Sequence, residues 1–521
     1  MRHGILTIVA PLQQGTDAGV RKRLRALTPV GFPCDRLVGL HFASLSVIDS
    51  RGNAPTDFAP HALFEASFDG PREDFINDLV TLTPAAVDEI FRDCEGYPAA
   101  GTTLPEVVKE FLFHHDEGAD CVYIAYPGRT VDQIRQESQL RNEVARRDGE
   151  NRAVMPGGPA HTQRSRVSLL RRQVSSIPDL RGALTLPERP FIVTYGPQIG
   201  GLLLNGLGAL AFVGLAVSLS RYLPHWPDPL PDKLPDVPHL LLPTTLFLMS
   251  VVAGWIGFWR PKWYGHAVVL LVAAAVAWLV RDTDLSQLLS PWVHALVTIG
   301  RWLFWMVLTL IVIPAIWIVL AQLHEWLVDP DPPNPSWDSA REHELRRLEN
   351  LRAQNHMVGL NAIKPGVMGL LFFRRWTVKA VLWIIHATKH LQKSGMLAGI
   401  STIHFARWVV IDHGRQVLFV SHYDGDWDAY LGDFVEQARH GLTAIWSNCV
   451  GFPRAWFLMF GGARDQRAFK AYARRSQHET LFVYSAYPQL TVSNIENHTA
   501  IRQALGSSLE TEDLEALFRR L

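Results

Sequence analysis

The chain has 521 residues, 48% of them hydrophobic and 19% charged, an apolar balance for a protein of this length. Lys+Arg and Asp+Glu both number 50, so no basic field exists to hold a phosphate backbone, and nucleic acid is excluded as an expected partner. The four Cys form neither a CxxC nor a Cys/His pair at zinc spacing, which excludes a disulfide framework and a structural zinc site and fits a reducing compartment.

The opening stretch MRHGILTIVAPLQQG has too short an apolar run for a signal peptide and reads as a strand over residues 3–12. A helix follows over 16–27. LHFASLSVID (40–49) and ALFEASF (62–68) read as two strands of a hairpin. Helices begin at PREDFINDLV (71–80) and LPEVVKEFLFHHDEG (104–118), and CVYIAYP (121–127) closes the unit as a strand. The order is βαββαβ, the ferredoxin-like order. A charged helix completes a first domain at 1–150, and 151–197 reads as linker and juxtamembrane segment, with a break at MPGGPAHTQRSR (155–166).

From 198 to 326 the apolar density rises. Stretches at 199–219, 240–259, 264–280 and 302–323 approach the length needed to cross about 30 Å of hydrocarbon, which predicts four transmembrane helices. Trp255, Trp259, Trp263 and Trp302 fall near their ends, as in aromatic belts. Arg and Lys concentrate on the side shared by both termini, so the positive-inside rule predicts a multi-pass inner-membrane protein with both termini cytoplasmic and the bilayer as a partner. Few ionisable residues fall within the spans, chiefly His266, so an anchor is expected over a transporter.

A Pro-rich stalk and charged helix occupy 327–354, a second unit 355–505, and a tail helix 506–521. The second unit repeats the first. Leu63 to Pro98 aligns without a gap on Leu418 to Pro453, LHFASLSVID on IHFARWVVID (403–412), and VYIAYP on VYSAYP (483–488). Its first strand is NHMVGLNAIKPG (355–366) and its first helix lies at 378–394. The apolar stretch 366–395 is expected to touch a membrane interface at its start.

One ferredoxin-like sheet leaves a face unburied, and two copies in one chain can bury theirs against each other. The expected fold class is therefore α+β, with two βαββαβ repeats forming an intramolecular α+β barrel beside the four-helix region. The pattern resembles the dimeric α+β barrel superfamily, which includes dye-decolourising peroxidases, chlorite dismutases and small monooxygenases. Those peroxidases carry Gly-x-x-Asp-Gly, and here Asp69-Gly70 and Asp424-Gly425 stand at that place with Ala66 or Ser421 for the first Gly. An Asp at a strand-to-helix junction is equally an N-cap.

The second copy is richer in polar groups. Arg407 stands where the first copy has Ser44, and His422 where it has Ser67, so the unit folds without them. The resemblance implies a haem-dependent, peroxidase-like oxidoreductase, with Asp424, Arg407 and His422 catalytic and His404, Tyr423, Trp446 and Tyr484 around the cofactor. His386 and His440 are further candidate axial histidines. Strand alternation places His404 and Trp408 on one face and Arg407 on the other. The alternatives are a non-enzymatic, membrane-tethered sensor binding a small molecule or lipid in the same barrel, and a transporter. A homo-oligomer is compatible with each of them.

Overall fold

The two similar blocks of sequence become two antiparallel sheets in the computed structural model, which describes residues 3–55, 57–98, 104–154, 161–181, 184, 312–327, 339–349, 353–365, 373–388, 397 and 399–506. In the first copy β1 (His3–Pro11) and β2 (Leu40–Ile48) flank β3 (His61–Asp69). After the helices Arg72–Leu82, Pro84–Phe91 and Pro105–His114 comes the short β4 (Cys121–Ile124). In the second copy β5 (Gln354–Ala362) and β6 (Ile403–Ile411) flank β7 (Gln416–Asp424). The strands are buried on both faces, so they read as continuous apolar runs more than as alternation.

The last strand of each copy crosses to the other sheet. β4 lies antiparallel to β6 of the second copy, and Thr480–Ser485 lies antiparallel to β2 of the first. The segment leading into each crossing stays on its own copy's first strand. Gln477–His478 pairs with β5, and residues 115–117 bond β1 through Val9 N–H to His115 O (3.0 Å) and Glu117 N–H to Thr7 O (2.9 Å). Every edge strand thereby finds a partner, and the two sheets close into one ring with no free edge.

Helices cover the outside of each sheet. Phe64, Phe68, Phe75, Ile76 and Phe91 form the apolar layer over the first sheet, and Trp408, Phe419, Phe434, Trp446 and Tyr472 that over the second. Inside the ring, Val9, Ile48 and Leu63 meet Val358, Leu418 and Val420 from the opposite copy. Both copies and their helices belong to one unit, Met1–Val193 with Gln322–Leu521, and residues 194–321 form a second.

The four-helix transmembrane expectation is corrected. Among the described residues no helix is long and apolar enough to cross a membrane. The stretches 199–219, 240–259 and 264–280, and residues 302–311 of the fourth, lie outside the described residues. The helix 312–327, which contains the rest of the fourth stretch, has 16 residues, about 24 Å at 1.5 Å per residue and short of the roughly 30 Å of a hydrocarbon core. Its last part carries a polar face: Glu325 pairs with Lys364 (2.6 Å) and Arg374 (3.0 Å), and His324 Nε2 bonds Pro365 O (3.0 Å). Apolar density came from a helix that docks through buried ion pairs, and the multi-pass inner-membrane placement falls with the spans. The interfacial expectation for 366–395 changes likewise: in the helix Phe373–Thr388, Arg374 is buried against Glu325 and Asn448.

Near the crossing of the second copy's last strand, Asp49 takes Arg21 Nη2 (2.5 Å) and Arg51 Nε (2.8 Å), with His478 Nε2 at 3.4 Å. Burial alone would raise its pKa, and the bonds from His478 and Arg51 outweigh that and depress it below 3.8. A depressed carboxylate contributes stability that is full above its unfolded pKa and lost as pH falls through the folded value. Asp49→Asn is therefore expected to lose roughly 1 to 3 kcal/mol at pH 7, and a distinctly smaller amount at pH 2, measured by urea unfolding at both pH values.

Candidate functional site

Inside the ring the side chains fall into layers. Beside the apolar layer lies an ionised one. Glu65 of β3, with no exposed surface, faces Arg407 of β6 and His422 of β7. Arg407 Nη2 stands 2.9 Å from Glu65 Oε2, at an angle that makes the contact an ion pair and not a hydrogen bond. The rest of the guanidinium is held by the first copy: Nη1 donates to Leu6 O (2.8 Å) and Thr7 Oγ1 (3.1 Å), Nη2 to Ala66 O (3.1 Å) and Ser67 Oγ. His422 Nε2 makes a very short hydrogen bond to Glu65 Oε1. His356 of β5 brings its Nε2 to 3.4 Å from the same oxygen and 3.1 Å from Ser44 Oγ, and its Nδ1 to 2.8 Å from Thr480 Oγ1.

Burial penalises the Glu65 carboxylate, and His422 and Arg407 more than offset it, so the group stays ionised well below 4.5. Burial lowers the His422 imidazole to about 4 despite Glu65 beside it. At neutral pH the imidazole is therefore neutral, and Arg407 is the cation that keeps Glu65 charged.

The next layer repeats itself about the pseudo-twofold axis. His41 Nε2 bonds Asp69 Oδ1 (3.1 Å) and its Nδ1 bonds the Tyr487 hydroxyl (2.7 Å); His404 Nε2 bonds Asp424 Oδ1 (2.7 Å) and its Nδ1 the Tyr126 hydroxyl (2.9 Å). The two hydroxyls meet at 2.8 Å. The result is one chain, Asp69–His41–Tyr487–Tyr126–His404–Asp424. The remaining oxygen of each carboxylate accepts a backbone N–H, from Val131 (2.9 Å) and from Val492 (2.7 Å), at the starts of the helices Val131–Val154 and Val492–Gly506.

Counting protons along this chain gives a constraint. It has five links, and with both carboxylates ionised the two neutral imidazoles and two phenols supply four protons. Every link is made only when the chain holds one proton more. By symmetry that proton has two equivalent hosts, His41 and His404. Burial holds the Tyr126 and Tyr487 phenols well above their ordinary pKa, so neither surrenders its own.

Of the residues singled out in the sequence, Arg407 and His422 meet in the ionised layer, and Asp424 and His404 meet in the hydroxyl chain, with Phe42 packed between His404 (5.2 Å) and His422 (4.5 Å). The others are elsewhere. Tyr423 stacks on Tyr430 (3.8 Å) on the helix-covered face, where Trp446 also lies with Trp408 and Phe419. Tyr484 is half-buried at the strand crossing, its phenol raised by burial. The strict alternation expected of β6 fails because both hairpins carry a bulge at the same place, between Ile403 and Phe405 and between Leu40 and Phe42, which turns His404 and His41 away from the helix side. Asp69 and Asp424 cap helices, but not the ones that follow them in sequence: Asp426 caps Trp427–Gln437 through Ala429 N–H (2.8 Å). Gly70 and Gly425, both at positive φ, turn the chain after each Asp.

Glu65, His356, His41, Tyr126 and Tyr487 were not singled out from sequence. His41 and Tyr126 could have been, since the aligned blocks LHFA/IHFA and AYP/AYP repeat them in both copies.

A haem does not fit these residues. Both ring nitrogens of His404 are engaged, His422 Nε2 is engaged by Glu65, and Tyr423 and Trp446 lie across the sheet from the ring interior. The two cavities beside the candidate residues measure about 30 Å³ and 20 Å³, room for one or two waters each. The smaller one is lined by His422, Phe42, Gln354, Asn355 and Ser485. Gln354 is 8% exposed; its Nε2 donates to Tyr487 O (3.1 Å) and Leu490 O (2.6 Å), while its buried Oε1 has no partner.

A second gathering of ring nitrogens and carboxylate, His3, His41 and Asp69, has no spare donor set. His3 Nε2 accepts Gly128 N–H (2.9 Å), which puts the ring proton on Nδ1, and both nitrogens of His41 are taken.

No protein-family model matches the chain, and neither the curated proteins nor the solved structures contain a match.

Because Asp69 and Asp424 stand in the same surroundings, Asp69→Asn and Asp424→Asn are expected to destabilise by similar amounts, about 1 to 3 kcal/mol each, since an amide turns a donor toward either the imidazole or the helix N–H. Equilibrium urea unfolding of both variants side by side checks it; a loss at one position alone would break the equivalence.

Proposed function

We propose that the closed ring is a binding site for a small polar molecule, entered beside His422, where the neutral imidazole backed by Glu65 takes or gives a proton. The observation that carries this reading is the 20 Å³ cavity in which a buried, unpartnered acceptor, Gln354 Oε1, shares a wall with His422. A buried acceptor without a donor costs roughly 1 to 3 kcal/mol, and a ligand bearing an N–H or O–H removes that cost. Phe42, Val483 and Pro488 supply apolar walls, so the complementary ligand is a hydrogen-bond donor of one to three heavy atoms with at most one small apolar group.

His422 suits acid–base work because it is uncharged at neutral pH and its partner is a carboxylate held ionised by Arg407. Arg407 positions Glu65 and is otherwise saturated by Leu6, Thr7, Ala66 and Ser67, so it is not assigned to the ligand.

Methanol and formamide are suitable probes. Titrated into ¹⁵N-histidine-labelled protein, at least one of them is expected to shift the His422 ring nitrogens saturably, and Gln354→Leu, which fills the same space without the acceptor, is expected to weaken that response tenfold or more. A folded wild-type chain in which neither probe moves His422 would overturn the reading.

A further inference from the structure

We propose that Glu65, His356 and His422 form a binding site for one first-row divalent transition-metal ion inside the ring. The inference deepens the reading above and rests on it in one respect: the metal's open positions face the cavity beside His422.

Two imidazoles and one carboxylate, one ligand atom each, lie within 4.8 Å of one another, and all three residues are buried. This donor set suits Fe²⁺ and its neighbours, and three protein ligands leave coordination positions free. An ion about 2.0 to 2.2 Å from each donor needs ligand atoms roughly 3 to 3.5 Å apart. His356 Nε2 already stands 3.4 Å from Glu65 Oε1. The ion would take the place of the proton that now joins His422 Nε2 to the same oxygen, and that proton leaves to solvent as His422 shifts its remaining hydrogen to Nδ1.

The outer atoms of the ligands are held as metal ligands require. His356 Nδ1 is 2.8 Å from Thr480 Oγ1, which accepts its N–H and aims Nε2 into the cluster. Glu65 Oε2 is fixed by Arg407 at 2.9 Å, which leaves Oε1 as the free donor and offsets part of the charge. Glu65 is ionised and His422 neutral, the protonation states that ligation needs.

The duplication supplies an internal control. Pairing registers and the aligned blocks put Ile5 at the place of His356, Val420 at that of Glu65 and Ser67 at that of His422. None of the three donors is needed to build the unit, and the ring carries them once, gathered at one point.

The test uses the full chain, stripped with a chelator and titrated with Co²⁺ under visible absorption, with Fe²⁺ as competitor. Expected are one equivalent bound with ligand-field bands, displacement by Fe²⁺, and a raised Tm. His356→Ala and His422→Ala should each lose the bands, Thr480→Val should weaken binding about tenfold as a positioning residue, and His3→Ala should change nothing. Pulsed EPR of the Cu²⁺-loaded wild-type chain needs no substitution and should count two coupled imidazole nitrogens. No stoichiometric uptake, bands that survive in either histidine variant, or any other nitrogen count would overturn the proposal and leave the cluster as an ion-pair clamp. Failure here with a methanol or formamide response retained at His422 would leave the small-molecule site standing.

Discussion

Everything in this ring depends on the exchange of the two last strands. A free-standing βαββαβ sheet would return its last strand to its own first strand. Here the run 115–124 begins on β1 and ends on β6, and 477–485 begins on β5 and ends on β2. Each crossing joins the sheets by backbone hydrogen bonds, so neither copy is complete alone. Closure also removes water from the interior, which turns a contact such as Glu65 with Arg407 from a screened surface pair into a buried one whose loss on one side leaves an uncompensated charge.

The interior layers answer to different demands. Aliphatic side chains from both copies fill one end at close packing. At the other, the Asp–His–Tyr chain links the two helices that follow the crossings, because each carboxylate spends one oxygen on an imidazole and the other on a helix N–H. That chain crosses the axis at a hydroxyl pair, the one kind of contact that two identical groups make well, since a hydroxyl both donates and accepts.

How much of this could be read from sequence follows the same division. Element order was legible because LFEASFDG and LFVSHYDG repeat with spacing intact, and a hairpin between two helices leaves few arrangements. The strand exchange was not, because VYIAYP and VYSAYP fit equally well beside either sheet; their partners are set by where the preceding loop releases them. Arg407 and His422 were legible through departures from the repeat, while Glu65 was passed over in a run whose Asp-Gly drew the attention. The bulges that re-aim His41 and His404 have no Gly or Pro to announce them. Apolar density at 302–323 misled because hydropathy averages over Gln322, His324 and Glu325 at the segment's end, where the polar contacts are made.

The contrast between the symmetric and the asymmetric layer bears on why one chain carries both copies. In a dimer of identical units every interior group occurs twice, related by the axis, so a Glu pointing inward brings a second Glu with it and a single histidine becomes a pair. The hydroxyl chain tolerates this doubling, and both copies keep His, Asp and Tyr there. The ionised layer does not: Glu65 faces Arg407 and two imidazoles from the opposite copy, and its own counterpart is Val420. Only fused copies free to diverge can place one carboxylate against one guanidinium at the middle of a closed ring. Charge pairing in that layer therefore demands the duplication in a single chain, while the fold by itself would be content with a symmetric pair.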